Sequence, residues 1–185
     1  IRRLVSEHNL SASDLILPLF VKDGGKKKEA IKSMPGIYRY SIKDLLKVVE
    51  KACKLNIPLI ALFPHTDTDK KNQNGSEALN ENNLICRTVK ALKKEFKNDI
   101  GVMCDVALDP YTSHGHDGIL RNKKIDNDLT IKILIKQSIL QAEMGCDIVA
   151  PSDMMDGRVG QIRKALDKEG LNDTHIVSYA VKYAS

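Results

Sequence analysis

Between Asp105 and Asp117 the chain sets three carboxylates (Asp105, Asp109, Asp117), two imidazoles (His114, His116) and two hydroxyls (Thr112, Ser113). Pro110, Gly115 and Gly118 keep the stretch out of a helix. Carboxylates this close can share acid and base roles, and with the histidines they can hold a divalent cation. Hydrogen bonding among the loop's own side chains accounts for the same composition. Lys182 stands near the end of an otherwise apolar run, V-S-Y-A-V-K-Y. A buried amine there loses the solvation of its charged form, so its pKa falls and it becomes free to attack a carbonyl. A strand-end lysine reaching out to water fits the pattern equally well. Ser152 and Asp153 directly follow the apolar run Asp147-Ile-Val-Ala. They can meet a substrate's polar groups or, with Asp156, start and cap the next helix.

These residues need elements to carry them. Five short apolar runs read as strands: Leu15–Val21, Ile57–Phe63, Ile100–Cys104, Asp147–Ala150 and His175–Tyr183. Pro18 weakens the first slightly. Four amphipathic segments alternate with them. The first helix opens at Ser41, with Asp44 three residues on as an acidic variant of a capping box, and turns Leu45, Leu46, Val48, Val49, Ala52 and Cys53 inward. The second runs from Asn83 to Phe96. The third is predicted over Leu129–Met144, with Asp128 as N-cap and Gly145 as its stop. The fourth uses Val159, Ile162 and Leu166 inward and ends at Gly170. The lysine-rich stretch before Ile31, the Met34-Pro-Gly turn and the polar segment Asp69–Glu81 read as loops.

Strands alternating with helices imply a parallel sheet with right-handed crossovers. Lys22-Asp-Gly-Gly is no dinucleotide fingerprint. The polar clusters follow strands two to five, and the C-terminal ends of strands are where a (β/α)8 barrel keeps its site. The fold class is therefore α/β, a TIM barrel of which about five βα units are present. Residues 1–185 read as one domain, truncated at both ends.

Composition narrows the partners. The 29 basic residues exceed the 24 acidic ones, giving +5, but they are scattered, with Lys26–Lys28 the only run of three. With aromatics at 4% and no recognition motif, nucleic acid is not an expected partner. No apolar run approaches a membrane span and the start has no signal-peptide core, so the expected location is cytoplasmic, with a plastid-type compartment open. Cys53, Cys86, Cys104 and Cys146 include no C-x-x-C pair and lie in apolar patterns, as buried reduced thiols do.

Four segments, SMPGI (Ser33–Ile37), DVALDPYTSHGHDG (Asp105–Gly118), VAPSDMMDGRV (Val149–Val159) and SYAVKYAS (Ser178–Ser185), resemble the 5-aminolevulinate dehydratase (porphobilinogen synthase) family, in the family's order. NLSASDLILPLFV and IDND fit as well, so the resemblance covers essentially the whole chain. It implies a hydro-lyase of haem and tetrapyrrole biosynthesis that condenses two 5-aminolevulinate molecules to porphobilinogen through lysine Schiff bases. Lys182 matches the first of two such lysines. The second, in a V-K-P motif, and the arginines for a substrate carboxylate have no counterpart here, and most of the N-terminal arm that organises a homo-octamer is missing. Asp105, Asp109, Asp117, Ser152 and Asp153 are then expected to bind substrate. Zinc-type members carry cysteines where this sequence has Ala107, Asp109 and Asp117. The chain thus resembles the aspartate-rich type, with no active-site zinc, no organic cofactor, and Mg2+ acting allosterically from a site beyond this sequence. His116 departs from a position where such members often have Gln, which leaves a divalent ion open. Another Schiff-base lyase of the aldolase kind would share Lys182 but not the other motifs. A fragment inactive without the remaining half is compatible with the first reading.

Overall fold

The computed structural model describes residues 1–2, 4–24 and 28–183. Gly25, Lys26 and Lys27 of the lysine-rich turn and Ala184–Ser185 of the last motif lie outside them.

Five parallel strands form the sheet's frame: β1 (Ile16–Lys22), β4 (Leu59–His65), β5 (Gly101–Val106), β8 (Ile148–Pro151) and β9 (His175–Ile176). Each pairs with the next in chain order. A doubly wound sheet reverses direction from its first strand, whereas sequential neighbours are the order of a (β/α)8 barrel, of which these are five consecutive strands. The helices α1 (Ile42–Lys54), α2 (Leu84–Phe96), α3 (Asn127–Glu143) and α4 (Arg158–Lys168) fill the crossovers.

Side-chain alternation decides what each face carries. Ile60 and Leu62 of β4, Val102, Cys104 and Val106 of β5, and Val149 of β8 join the helices in the main core. Ala61, Met103 and Ala150 face the other way and pack with Leu59, Phe63 and Ile148 in a smaller cluster. Asp105 shares the parity of Met103, and Ser152 that of Ala150, so strand geometry sends both toward the inner face.

Local chemistry explains the helix ends. Ser41 Oγ accepts the Asp44 N–H (3.3 Å) and donates to Asp44 Oδ2 (3.2 Å), which caps α1. Asn83 Oδ1 accepts the Cys86 N–H at 2.8 Å and caps α2. At α3 the cap is Asp126, not the expected Asp128, because Asp126 Oδ1 accepts the Leu129 N–H (2.9 Å). Gly145, at φ +101°, ends that helix in a conformation costly for other residues. The α4 N-cap position is Gly157 rather than an acidic residue. Ile162 and Leu166 are buried on α4, but Val159 is exposed, because it lies in the first turn, beyond the core. Cys86, Cys104 and Cys146 are buried free thiols, and Cys53 is half-buried and free.

Two departures concern the sheet's edges. β2 (Glu29–Ala30), in a stretch expected to be loop, and β3 (Tyr38–Tyr40), in one assigned no element, form an antiparallel pair. β3 then adds in parallel to β1 at Phe20 and Val21, and Glu29 ties the pair together by ion pairs to Lys22 (3.1 Å) and Arg39 (2.7 Å). Pro18, with no partner on that side, sits where a missing N–H does no harm. At the other edge, only His175 and Ile176 of the expected nine-residue strand have strand geometry. Bonds from Val177 N–H to Val149 O (3.1 Å) and from Tyr179 N–H to Pro151 O (3.4 Å) extend the ladder loosely. With no neighbour on its far side, the segment leaves Val181 and Tyr183 exposed.

Candidate active site

Asp105 is the next-to-last residue of β5, and the chain then turns sharply: the Tyr111 and Thr112 N–H groups both bond Leu108 O at 2.9 Å. Leu108, Tyr111 and Ile119 are buried in the main core, so the acid loop is anchored along its length. Asn72 clamps it from the side, its N–H bonding Tyr111 O (3.2 Å) and its carbonyl accepting the Ser113 N–H (3.0 Å). Two further side chains hold its ends: Gln141 Nε2 donates to Asp105 O (3.0 Å), and Thr130 Oγ1 accepts the Ile119 N–H (2.9 Å).

The turn directs Asp109 and Asp117 into one cavity of about 870 Å³, which Asp105, His116, Ser152, Phe63 and Lys182 also line. Lys182 Nζ lies 2.9 Å from Asp117 Oδ2 and 2.8 Å from the Ser152 carbonyl oxygen. The lysine side chain is 38% exposed and that of Asp117 14%. Of the two readings of Lys182, buried or reaching to water at a strand end, the structure is nearer the second: the lysine sits beyond β9, at the open edge of the sheet, held by an ion pair and a carbonyl.

Burial pushes the Asp105 carboxyl up to about 7; Asp109 and Asp117 add to the rise, while Ser152 and Lys182 oppose it. Its Oδ1 is buried without a hydrogen-bond partner. Burial, then the neighbouring Asp117 charge, raises Asp109 to about 6. Two carboxyls poised near neutrality beside an amine are suited to passing protons to and from a reacting carbonyl.

Asp153 is apart from this group. It is 1% exposed, lines no part of the cavity, and accepts the Met155 N–H at 2.7 Å. Arg158 Nε approaches its Oδ2 to 3.1 Å, but neither atom has an aligned hydrogen bond, so the contact is one of charge. Burial raises its pKa, against the Met155 N–H and Arg158. Its position is that of a support for the loop bearing Met154 and Met155. His114 also stays off the cavity; its Nδ1 accepts the His116 N–H (3.1 Å).

Among the described residues no three His, Cys, Asp or Glu side chains are grouped to hold a metal ion. A methyl and two carboxylates at Ala107, Asp109 and Asp117 lack the thiolates that a cysteine zinc site uses. Cys104 cannot supply one, since it points into the helix-side core.

No motif or period in the sequence marks Asn72, Thr130, Gln137 or Gln141. Asn72 lay in an undifferentiated polar loop, and the other three are polar residues inside a helical pattern judged by its apolar members. Buried polar positions on a helix face were the available signal.

All 185 residues match the delta-aminolevulinic acid dehydratase family. The delta-aminolevulinic acid dehydratase of Bradyrhizobium diazoefficiens is 56% identical over 184 residues, covering 100% of this chain and 52% of the relative. The chloroplastic one of Oryza sativa subsp. japonica is 48% identical over 187 residues, with 100% and 43% covered. The crystal structure of the Toxoplasma gondii ME49 enzyme in complex with its reaction product, porphobilinogen, superposes with TM-score 0.95 at 47% identity. That superposition takes in 100% of this chain and 52% of the other. The chain spans about half the length of these relatives.

Proposed function

The chain belongs to the delta-aminolevulinic acid dehydratase family, and from that membership we propose that the protein carrying it condenses two 5-aminolevulinate molecules to porphobilinogen. The observation that carries the reading is Lys182 Nζ, held between Asp117 and the Ser152 carbonyl at the rim of a cavity walled by Asp105 and Asp109. Asp117 holds the Lys182 side chain at the cavity, and the amine reacts after its proton has passed to solvent. The free amine adds to the substrate ketone, and the carbinolamine expels water as the imine forms. Asp105, near half-protonated at neutral pH, supplies the proton that lets hydroxide leave as water and can take one back from a carbon or nitrogen. Asp109 and Asp117 attract the substrate ammonium. Ser152 lies beside the imine, and Asp153 acts from beneath through the loop it supports.

A V-K-P lysine for the second Schiff base is not among these 185 residues, so the activity belongs to the longer protein. Another Schiff-base lyase would use the same lysine, but the family match over the whole chain favours the dehydratase. The carboxylates at Asp109 and Asp117, which offer no thiolates, support an active site without a cysteine-bound zinc; activation by Mg2+ from a site elsewhere in the longer protein, with no organic cofactor, completes the proposal. So does a homo-oligomer, an octamer, since Ile1, Leu4, Val5 and Leu10 expose their apolar side chains. No helix among the described residues is long and apolar enough to cross a membrane, and a cytoplasmic or plastid location is proposed.

Borohydride reduction of the longer protein with 5-aminolevulinate, followed by peptide mass analysis, is expected to place an adduct on Lys182. Lys182→Arg keeps the charge but lacks a usable amine, so porphobilinogen formation should fall by orders of magnitude with folding intact. An active Lys182→Arg variant with no adduct at this position would sink the assignment.

A further inference from the structure

The buried face of α3 is unusual in what it buries. Thr130, Leu134, Gln137 and Gln141 follow one another at helical spacing on that face, and all are at most 2% exposed. The three polar members each address a backbone atom of the strand and loop that carry the carboxylates. Gln141 Nε2 donates to Asp105 O (3.0 Å) and Gln137 Nε2 to Ala107 O (3.2 Å). Thr130 Oγ1 accepts the Ile119 N–H (2.9 Å) while donating to Asp126 O (2.6 Å). One helix therefore grips the segment at 105, at 107 and at 119, bracketing Asp109 and Asp117.

Stability alone is a poor account of these side chains. The Oε1 atoms of Gln137 and Gln141 are both buried without a partner. An orphaned buried acceptor costs about as much as the bond on the other side of the amide contributes. Apolar side chains of equal volume would fill the space without that cost. What they would not do is fix the backbone of Asp105 and Ala107 against a rigid helix. Carbonyl groups at a strand end have neighbours to bond only where something is set opposite them.

We propose that Thr130, Gln137 and Gln141 are positioning residues, a polar stripe that holds both ends of the acid loop in register with α3 and so sets where Asp105, Asp109 and Asp117 stand relative to Lys182. Their effect on turnover rests on the proposed dehydratase reaction; their effect on the loop does not.

The test uses the full-length protein carrying this chain and the double variant Gln137→Met with Gln141→Met, which keeps length and volume but removes both donors. Ser138→Ala is the comparison: Ser138 is buried on the same helix but bonds only Leu134 O within it. In the double variant kcat should fall roughly 10- to 100-fold, as small misplacements of reacting groups do. KM should change by less than about threefold, and amide exchange across residues 105–109 should quicken. Ser138→Ala should leave kcat and that exchange near the parent's. If the double variant does not fold, Thr130→Val, which keeps the shape and removes the hydroxyl, is read in the same way at residues 117–119. Unchanged kcat and unchanged exchange overturn the proposal. So does a loss of kcat that Ser138→Ala reproduces at an equal drop in melting temperature. A parent that makes no porphobilinogen refutes the reaction, and the exchange measurement then still decides the positioning role.

Discussion

Asp105 ties the stability of the fold to pH. Its carboxyl, pushed up to about 7 by burial, keeps its proton in the folded state over a range in which the unfolded chain, with an ordinary value of 3.8, has lost it. The folded state binds more protons between those values, so this group's contribution is fully present below about pH 4 and is lost as pH rises toward 7. The difference corresponds to on the order of 4 kcal/mol at most. Asp105→Asn removes the penalty, so its melting temperature should exceed the parent's at pH 8 and the gain should shrink at pH 5. An equal gain at both pH values would mean that Asp105 does not titrate late. In the proposed reaction Asp109 and Asp117 act by charge, so changing both to Asn should reduce porphobilinogen turnover of the longer protein greatly. Full retained turnover would leave them as loop residues. At this scale residue type and spacing drew attention to Asp105, Asp109, Asp117, His116, Ser152 and Lys182, which line the cavity, but not to Phe63, Asn127 or Met154 beside them. The sequence left Lys182 open between burial and solvent, because a strand pattern says nothing of which neighbours are present to bury it. It also grouped Asp153 with the substrate contacts, since adjacency to Ser152 hides that successive side chains leave the chain in opposite directions.

Elements position these groups through close packing. At Gly118 an added Cβ would lie 2.7 Å from Ile125 Cγ2, 3.0 Å from Thr130 Oγ1 and 3.2 Å from Met155 Cε. Gly118 thus lets the acid loop pass between β7 (Lys124–Ile125) and the loop before α4, immediately after Asp117. Gly118→Ala should cost about 1–3 kcal/mol by overpacking and, by displacing Asp117 from Lys182, should lower kcat more than the stability loss explains. A variant with parental kcat and melting temperature would show that the loop can give way. The five strands and four helices were legible because apolar period and capping chemistry are local. The β2–β3 pair was not, since two- and three-residue strands carry no period and exist only through pairing to β1. The clamp at Asn72 escaped for a related reason: backbone bonds that fold one loop onto another leave no pattern along the chain.

For the whole molecule, the two edges of the sheet are unequal. β3 covers part of β1, whereas β9 and the residues after it have, among the described residues, no strand on the far side and leave Val177, Tyr179, Val181 and Tyr183 at least 37% exposed. An open edge with apolar side chains associates with whatever strand it meets. Residues 1–185 expressed alone should therefore unfold without a cooperative transition or run as aggregates in size-exclusion chromatography. A sharp, concentration-independent unfolding transition of a monomer would contradict this. The barrel order was legible in the alternation of strands and helices, while the behaviour of its edges depends on chain outside this sequence. The distance along the chain between Asp117 and Lys182, 65 residues, also has a consequence for biosynthesis. The ribosome delivers the three carboxylates together and their counter-ion later, by roughly 3–13 s at about 5–20 residues per second. During that interval the Asp105 and Asp109 carboxyls, whose pKa burial raises, await their lysine. The acid loop is thus made before the cation that pairs with Asp117, and the arrival of Lys182 adds the ion pair last.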